Sequence, residues 1–342
     1  MNTVELVEIT TDSPADLIDA WVAVRTAAHA VDEVNTPLPW RDSDMGGLAH
    51  PIPGGRVHVF LIRRDGEAVG HARMGLPQQS NTTITWLSVG VVPALRRQGI
   101  GRAVLDLLTA KAKSEGRTRA MSYAAGRVPG GPERDESGIA FLTATGFRKV
   151  GEEVRRDLDL STVDIGEETR LYEAALAKAG DDYEVLRFTE PAPAEFLADL
   201  AVLNARLSED TAGYTEGMEP SSFDTDKILA YEAASAARLI RRHHVVVRHR
   251  PSGRLVAWSF LAVVAEDARH ADHEITVVIP EHRGHRLGML VKTGLHRYVR
   301  DVEPALRWID TVNAAENTHM IAINAELGFV PVETYVEYAK DI

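Results

Sequence analysis

Apolar and polar residues follow one another along this chain in an order that is run through twice. Val4–Ile9 has the two-residue period of a strand. Ser13-Pro14 comes next. Proline suits a first helical position, where its missing N–H has no partner anyway, so a helix is predicted to about Ala30. Residues 35–55 hold four prolines and four glycines and read as a loop or a short broken helix. Residues 57–63 and 68–76 read as strands joined by Arg64-Asp65-Gly66-Glu67, where Asp-Gly signals a hairpin. Residues 82–92 are a third strand, rich in β-branched side chains. Residues 99–115 place Val104, Leu105, Leu107, Leu108 and Ala112 on one helical side, and Gly116 stops that helix. A strand at 118–124, a short helix at 137–145 ended by Gly146, and strands at 147–150 and 154–160 complete the set.

The second half repeats the order. A strand at 183–188 precedes helices at 193–207 and 224–242, and strands follow at 245–250, 254–264 and 274–279. Then come a helix at 286–300, a strand at 306–312, a helix at 315–327 stopped by Gly328, and a last extended stretch at 329–338. The expected division is a first domain at 1–160, a linker at 161–182 and a second domain at 183–342. Each half is long enough to bury its own core.

One segment of each half carries chemistry. Val91, Val92, Pro93, Ala94, Leu95, Arg96, Arg97, Gln98, Gly99, Ile100, Gly101, Arg102 and Ala103 run from a strand through a glycine-bearing turn into a helix. Residues 278–288 do the same through Pro280, Arg283, Gly284 and Gly288. A turn of this kind exposes backbone N–H groups, and the helix start adds its positive dipole end, which together suit a pyrophosphate. Arg286 stands where Gly99 stands, so the first turn is the better expected cradle.

Composition narrows the setting. The 342 residues include no cysteine, which excludes disulfides, thiolate metal sites and a cysteine nucleophile and fits a cytoplasmic protein. No apolar run reaches membrane-spanning length and no signal peptide is visible. A net charge of −12 argues against binding nucleic acid and would steer a cationic acceptor, or serve solubility alone. His270-x-x-His273 and His282-x-x-His285 have metal-like spacing but lack a third ligand, so no metal site is expected.

Arg96-Arg97-Gln98-Gly99-Ile100-Gly101 resembles the acyl-CoA loop of the GNAT acetyltransferase superfamily, (Gln/Arg)-x-x-Gly-x-(Gly/Ala). Val91-x-Pro93 resembles the end of that family's fourth strand. Phe141 to Phe147, and Asn317 to Phe329 more closely, resemble its later helix ending in Gly-Phe. The layout is similar to the tandem two-domain type, as in mycothiol synthase. The resemblance implies an α/β fold of two tandem GNAT-like domains, each a mixed, mostly antiparallel sheet flanked by helices. It implies acetyl-CoA as acyl donor, bound by the first turn, and a small-molecule amine as acceptor, in a monomer or homodimer. It also implies a β-strand N–H near Val91 as oxyanion donor.

The family's proton-transfer groups are not both matched. Leu142 and Asn324 occupy the place of its tyrosine acid, leaving Tyr123 as a substitute. Its strand carboxylate has counterparts in Asp272 and Glu274 of the second half, with Glu274 expected on the face of Thr276 and Val278. His71 is an alternative base in the first half, and residues 35–55 would line the acceptor cleft. The other reading is a non-catalytic tandem module that binds CoA or another ligand.

Overall fold

The computed structural model describes residues 3–33 and 35–342 and divides into two compact units. Unit 1 holds residues up to Glu153, Thr215–Glu219 and Glu333–Ile342; unit 2 holds Val154–Tyr214 and Pro220–Val332. The chain therefore leaves each unit and returns to it.

Unit 1 begins with β1 (Val4–Ile9), α1 (Ala15–Asp32) and α2 (Arg41–Ala49). α2 lies inside the stretch read as a loop or a broken helix. Its uncapped start and its two interior glycines weaken the helical signal, which is why loop and broken helix stand as alternatives there. Next come β2 (Gly55–Arg64), β3 (Glu67–Pro77) and β4 (Ile84–Val91). Asp65 and Gly66, both with positive φ, make the tight β2–β3 hairpin. α3 (Ile100–Ser114), β5 (Arg119–Gly126) and α4 (Ser137–Ala144) follow, then β6 (Arg148–Asp159), which runs on into unit 2. β1 to β4 are consecutive antiparallel neighbours. β5 is parallel to β4 over three residue pairs only, Ile84↔Arg119 to Trp86↔Met121.

Unit 2 opens with α5 (Ile165–Ala179), which buries Leu171, Ala175 and Ala179 in that unit's core, within the segment expected to be linker. β7 (Tyr183–Thr189), α6 (Leu197–Ala212), α7 (Thr225–Ala237), β8 (Ile240–His249), β9 (Arg254–Val264) and β10 (His270–Val278) follow. α7 stops five residues before the sequence reading ends it, because Leu239 turns to φ 57° and Ile240 pairs with Val264. α8 (Leu287–Val302), β11 (Trp308–Ala314), α9 (Thr318–Glu326) and β12 (Val330–Asp341) complete the chain. β7 to β10 are antiparallel, and β11 is parallel to β10 from His270↔Trp308 to His273↔Thr311.

The last strand belongs mainly to unit 1. There β12 lies antiparallel to β5, from Thr334↔Gly126 to Asp341↔Arg119. Residues 215–219 are held in unit 1 as well, because the Asn81 amide donates to the Glu219 carbonyl at 3.0 Å and accepts its N–H at 2.8 Å.

The strands of each unit are covered by helices on both faces. In unit 1, Val104, Leu105 and Leu108 of α3 pack on Ala72, Met74, Leu87 and Ala120, while Ile18, Trp21 and Val24 of α1 pack on Val59 and Leu61. In unit 2, α8 and α5 cover one face and α6 and α7 the other. No helix among the described residues is long and apolar enough to cross a membrane.

One core position is expensive. Lys292 on α8 is 1% exposed, with its ammonium over the Phe329 ring at 5.2 Å, and burial lowers its pKa to about 7. Between that value and 10.5 the unfolded chain holds a proton that the folded one lacks. Stability should therefore rise with pH across this window. Lys292→Met should abolish that rise and stabilise the protein by roughly 1–4 kcal/mol at neutral pH, most below pH 7, as read by urea melts across pH.

Candidate active site

The two turns have the same backbone and exchanged side chains. Positive φ falls at Arg97 (63°) and Gly99 (80°) in unit 1, and at Gly284 (85°) and Arg286 (56°) in unit 2. In both, the residue before the first of these is an arginine that ties the turn to its strand. Arg96 Nε donates to the Val91 carbonyl at 3.0 Å, and Arg283 Nε to the Val278 carbonyl at 3.2 Å. Arg96 also pairs with Asp32 at 2.7 Å and Asp135 at 2.9 Å, so its guanidinium serves the fold first. Within the described residues, the N–H groups of Arg97 to Gly101 meet no protein acceptor, and neither do those of Gly284 to Gly288. Such unpaired N–H groups at a helix start form an anion site.

Side chains separate the turns. A Cβ at Gly99 would meet nothing within 4 Å, so the space above it is open to a ligand. Arg97 is exposed there, Gln98 accepts from Arg64 at 2.7 Å, and Arg102 reaches the Ala144 carbonyl at 3.3 Å. Arg286 turns its guanidinium to Glu326 on α9, 3.1 Å away, and does not fold over its own turn. Gly101 and Gly288 both face the later helix, their Cβ positions 3.4 Å from Phe141 and 3.3 Å from Ile323. The residues of the first turn fit a pyrophosphate. Ile100 and Ala103 are the helix's first turn, with Ile100 buried as its apolar foot.

Next to each turn is a slot. Beyond Trp86↔Met121, β4 and β5 no longer pair, which leaves the β5-side edge of residues 87–91 open. Beyond His273↔Thr311, residues 274–278 are open in the same way. An extended amide-bearing chain can add to such an edge as a strand would. The Val92 N–H is outside this set, because it donates to the Val69 carbonyl at 3.0 Å.

The expected proton-transfer residues are distributed unevenly. Leu142 is core, 5% exposed. His71 lies against Gly90, where a Cβ would come within 2.2 Å of its Nε2, and burial with the nearby Arg25 lowers its pKa to about 4. It is a neutral ring of low basicity. Tyr123 lies two residues past the last β4–β5 pair, 57% exposed, and its edge meets Tyr335 at 5.8 Å. Partial burial and the Glu33 carboxylate raise its pKa.

In unit 2, Asp272 and Glu274 are accessible but recessed, and desolvation raises both. Glu274 is skipped in the β9 register, since His273 faces Leu261 and Ile275 faces Phe260. That bulge overturns the expected alternation. Thr276 bonds Ser259, and Val278 packs with the α8 side, while Glu274 is turned toward Arg242, 4.0 Å away. Asn324 is fully buried and donates to Asn313 at 2.6 Å. His270 is bonded to Asp267 and His282 to Tyr183, each at 2.9 Å, and no group of metal-ligating side chains forms among the described residues.

Sequence reading passed over one more pair, Glu153 and Glu337. They sit on the two closing strands, and only the pairing of β12 with β5 brings Glu337 opposite Tyr123. Polar residues alternating on those strands were the sole local signal.

A sheet whose two central parallel strands part beside an anion-binding turn defines an acyl-CoA-type α/β fold. The comparisons name the family. Residues 26–130 match the model of the acetyltransferase (GNAT) family. Over 99% of its length the chain is similar to a tandem GNAT protein from the clavulanic acid biosynthesis pathway, with a TM-score of 0.84, 25% identity and 98% of that chain covered. A GCN5-related N-acetyltransferase from Sphaerobacter thermophilus shares the fold at 14% identity and a TM-score of 0.63, over 99% of this chain and 95% of that one. No curated protein matches. Residues 26–130 thus match a GNAT-family domain, and the chain as a whole has the fold of a tandem GNAT protein.

Gly99 and Gly116 provide a paired test, since both have φ near 80° and open space at Cβ. Alanine at either should cost about 1 kcal/mol through left-handed strain. Only Gly99→Ala should also weaken acetyl-CoA binding, by tenfold or more in calorimetry.

Proposed function

We propose that the chain is an N-acyltransferase moving an acetyl group from acetyl-CoA to an amine of a small molecule, with the donor held by unit 1. The observation that carries this reading is the open β4 edge leading straight to unpaired turn N–H groups beneath an exposed Arg97. Acetyl-CoA supplies the acyl group as a thioester. The turn N–H groups and Arg97 hold the pyrophosphate, and the β4 edge aligns the amide-bearing arm. A β4 N–H near Val91 polarises the thioester carbonyl. The acceptor enters from the α1–α2 face, where Trp40 is 40% exposed, and the −12 net charge attracts a cation. The similarity to a tandem GNAT protein of clavulanic acid biosynthesis supports a small-molecule acceptor.

A second reading places the transfer at unit 2. The bulge at Glu274 favours it, because it leaves an exposed carboxylate of raised pKa one residue past the last β10–β11 pair.

Thiol release from acetyl-CoA with a panel of primary amines tests both. The wild-type protein should release thiol with at least one amine. Gly99→Ala should lower the rate at least tenfold and Glu274→Gln should leave it within threefold. The opposite ranking assigns the reaction to unit 2. Binding of acetyl-CoA without thiol release from any amine would make the chain a binding module.

A further inference from the structure

The better turn and the family's strand carboxylates fall in different halves of the sequence, yet unit 1 is not without carboxylates. We propose that Glu153 and Glu337, with Tyr123, form the proton-transfer site of unit 1 and serve a primary amine that arrives as an ammonium ion. This rests on the reading that unit 1 holds the acyl donor.

The geometry follows from register. β4 and β5 part after Trp86↔Met121, and Tyr123 is the next β5 residue on the Met121 face. Glu337 of β12 is directly opposite Tyr123, as Ala339 is opposite Met121. The Thr215 hydroxyl donates to Glu337 and fixes that carboxylate. Glu153 is close enough for the Glu337 charge to act on it. Burial first, and then that charge, raise Glu153 to about 7. Glu153 is thus about half-protonated at neutral pH, which suits a base that must both take and release a proton.

The rest of the wall agrees. The rings of Tyr123 and Tyr335 meet edge to face and offer π surface to a cation. The Tyr335 hydroxyl donates to Glu333 at 3.2 Å, and Glu333 is paired with Arg134. Arg134 has a side chain 1% exposed, and its Nε and Nη1 groups find no acceptor in the protein. The charged and titratable groups around Tyr123 are Glu33 just after α1, Arg73 of β3, and Glu337 and Glu153 of the closing strands. Carboxylates outnumber cations there, as an ammonium ligand requires.

The step balances. The ammonium nitrogen gives one proton to the Glu153–Glu337 pair, which releases it to solvent, and its freed electron pair forms the N–C bond to the thioester carbon. The C–S bond breaks with its electrons on sulfur. The nitrogen's second proton leaves through the carboxylate pair to solvent, and the Tyr123 hydroxyl passes a proton to sulfur and is reprotonated from solvent.

The test uses the full chain with acetyl-CoA and the best amine of the panel. Glu153→Gln and Glu337→Gln should each cut kcat/KM at least 100-fold at pH 7, with acetyl-CoA affinity within twofold of wild type. The wild-type profile should lose activity as pH falls through about 7, and Glu153→Gln should erase that limb. Tyr123→Phe should lose about tenfold in kcat with little change in KM. Rates within threefold of wild type in both glutamine variants overturn the proposal. So does a rate loss matched by an equal loss of acetyl-CoA affinity, which would make the pair structural. A wild-type protein that acetylates no amine fails the functional reading instead, before these variants are compared.

Discussion

The early end of β4–β5 pairing is the constraint on which the rest depends. Parallel strands joined through a helix would ordinarily pair along their whole length. Here three pairs form and the strands then part. The unpaired edge of β4 lies in a protein interior where backbone groups are otherwise almost all satisfied. Arg96 covers one of those groups by bonding the Val91 carbonyl, and that bond also sets the direction of the following turn. A single arginine therefore closes the end of the slot and aims the anion cradle. Unit 2 makes the same contact through Arg283 and Val278, so the device is a property of the fold and is independent of which side chain occupies the positive-φ positions.

The closing strands solve a problem that the halves, taken as sequence, pose. A strand that parts from its neighbour needs support on its other side. In unit 1 that support for β5 is β12, from the far end of the chain. The same strand delivers Glu337 and Tyr335 beside Tyr123, so the wall that stabilises the slot also carries its polar groups. Residues 215–219 add the Thr215 hydroxyl and the Asn81–Glu219 bonds from a third part of the chain. Architecture and chemistry of unit 1 are in this way assembled from three separate parts of the chain, with an entropic cost of closure.

Legibility in the sequence follows the range of the interactions concerned. The turns were visible because a positive-φ glycine, a helix start and a β-branched strand are local features. The hairpin at Asp65-Gly66 was visible for the same reason. α2 was legible only as one of two alternatives, because Gly46 and Gly47 lie inside it, prolines flank it and its ion pair, Arg25 with Asp44, is tertiary. The helix read through residues 238–242 yielded to strand pairing at Ile240, since propensity is weaker than a ladder of sheet bonds. Glu274 was assigned by alternation, which fails at a bulge that no single residue announces. Glu153 and Glu337 were out of reach because their meeting depends on which strand closes which sheet.

The exchanged occupants of the two turns bear on what duplication did here. Both turns need two left-handed residues, and in each only one is glycine. Glycine at the second position, as in unit 1, leaves the space over the helix start free of any Cβ, and puts the arginine side chain at the first position, in solvent. Glycine at the first position, as in unit 2, places an arginine side chain at the helix start, where it meets Glu326 on the neighbouring helix. The strain cost is similar in the two arrangements, since each has one L residue in left-handed backbone. Stability therefore does not distinguish them, whereas access to the helix N-terminus does. The difference between the units is one of ligand chemistry on a backbone that folding alone would maintain in both.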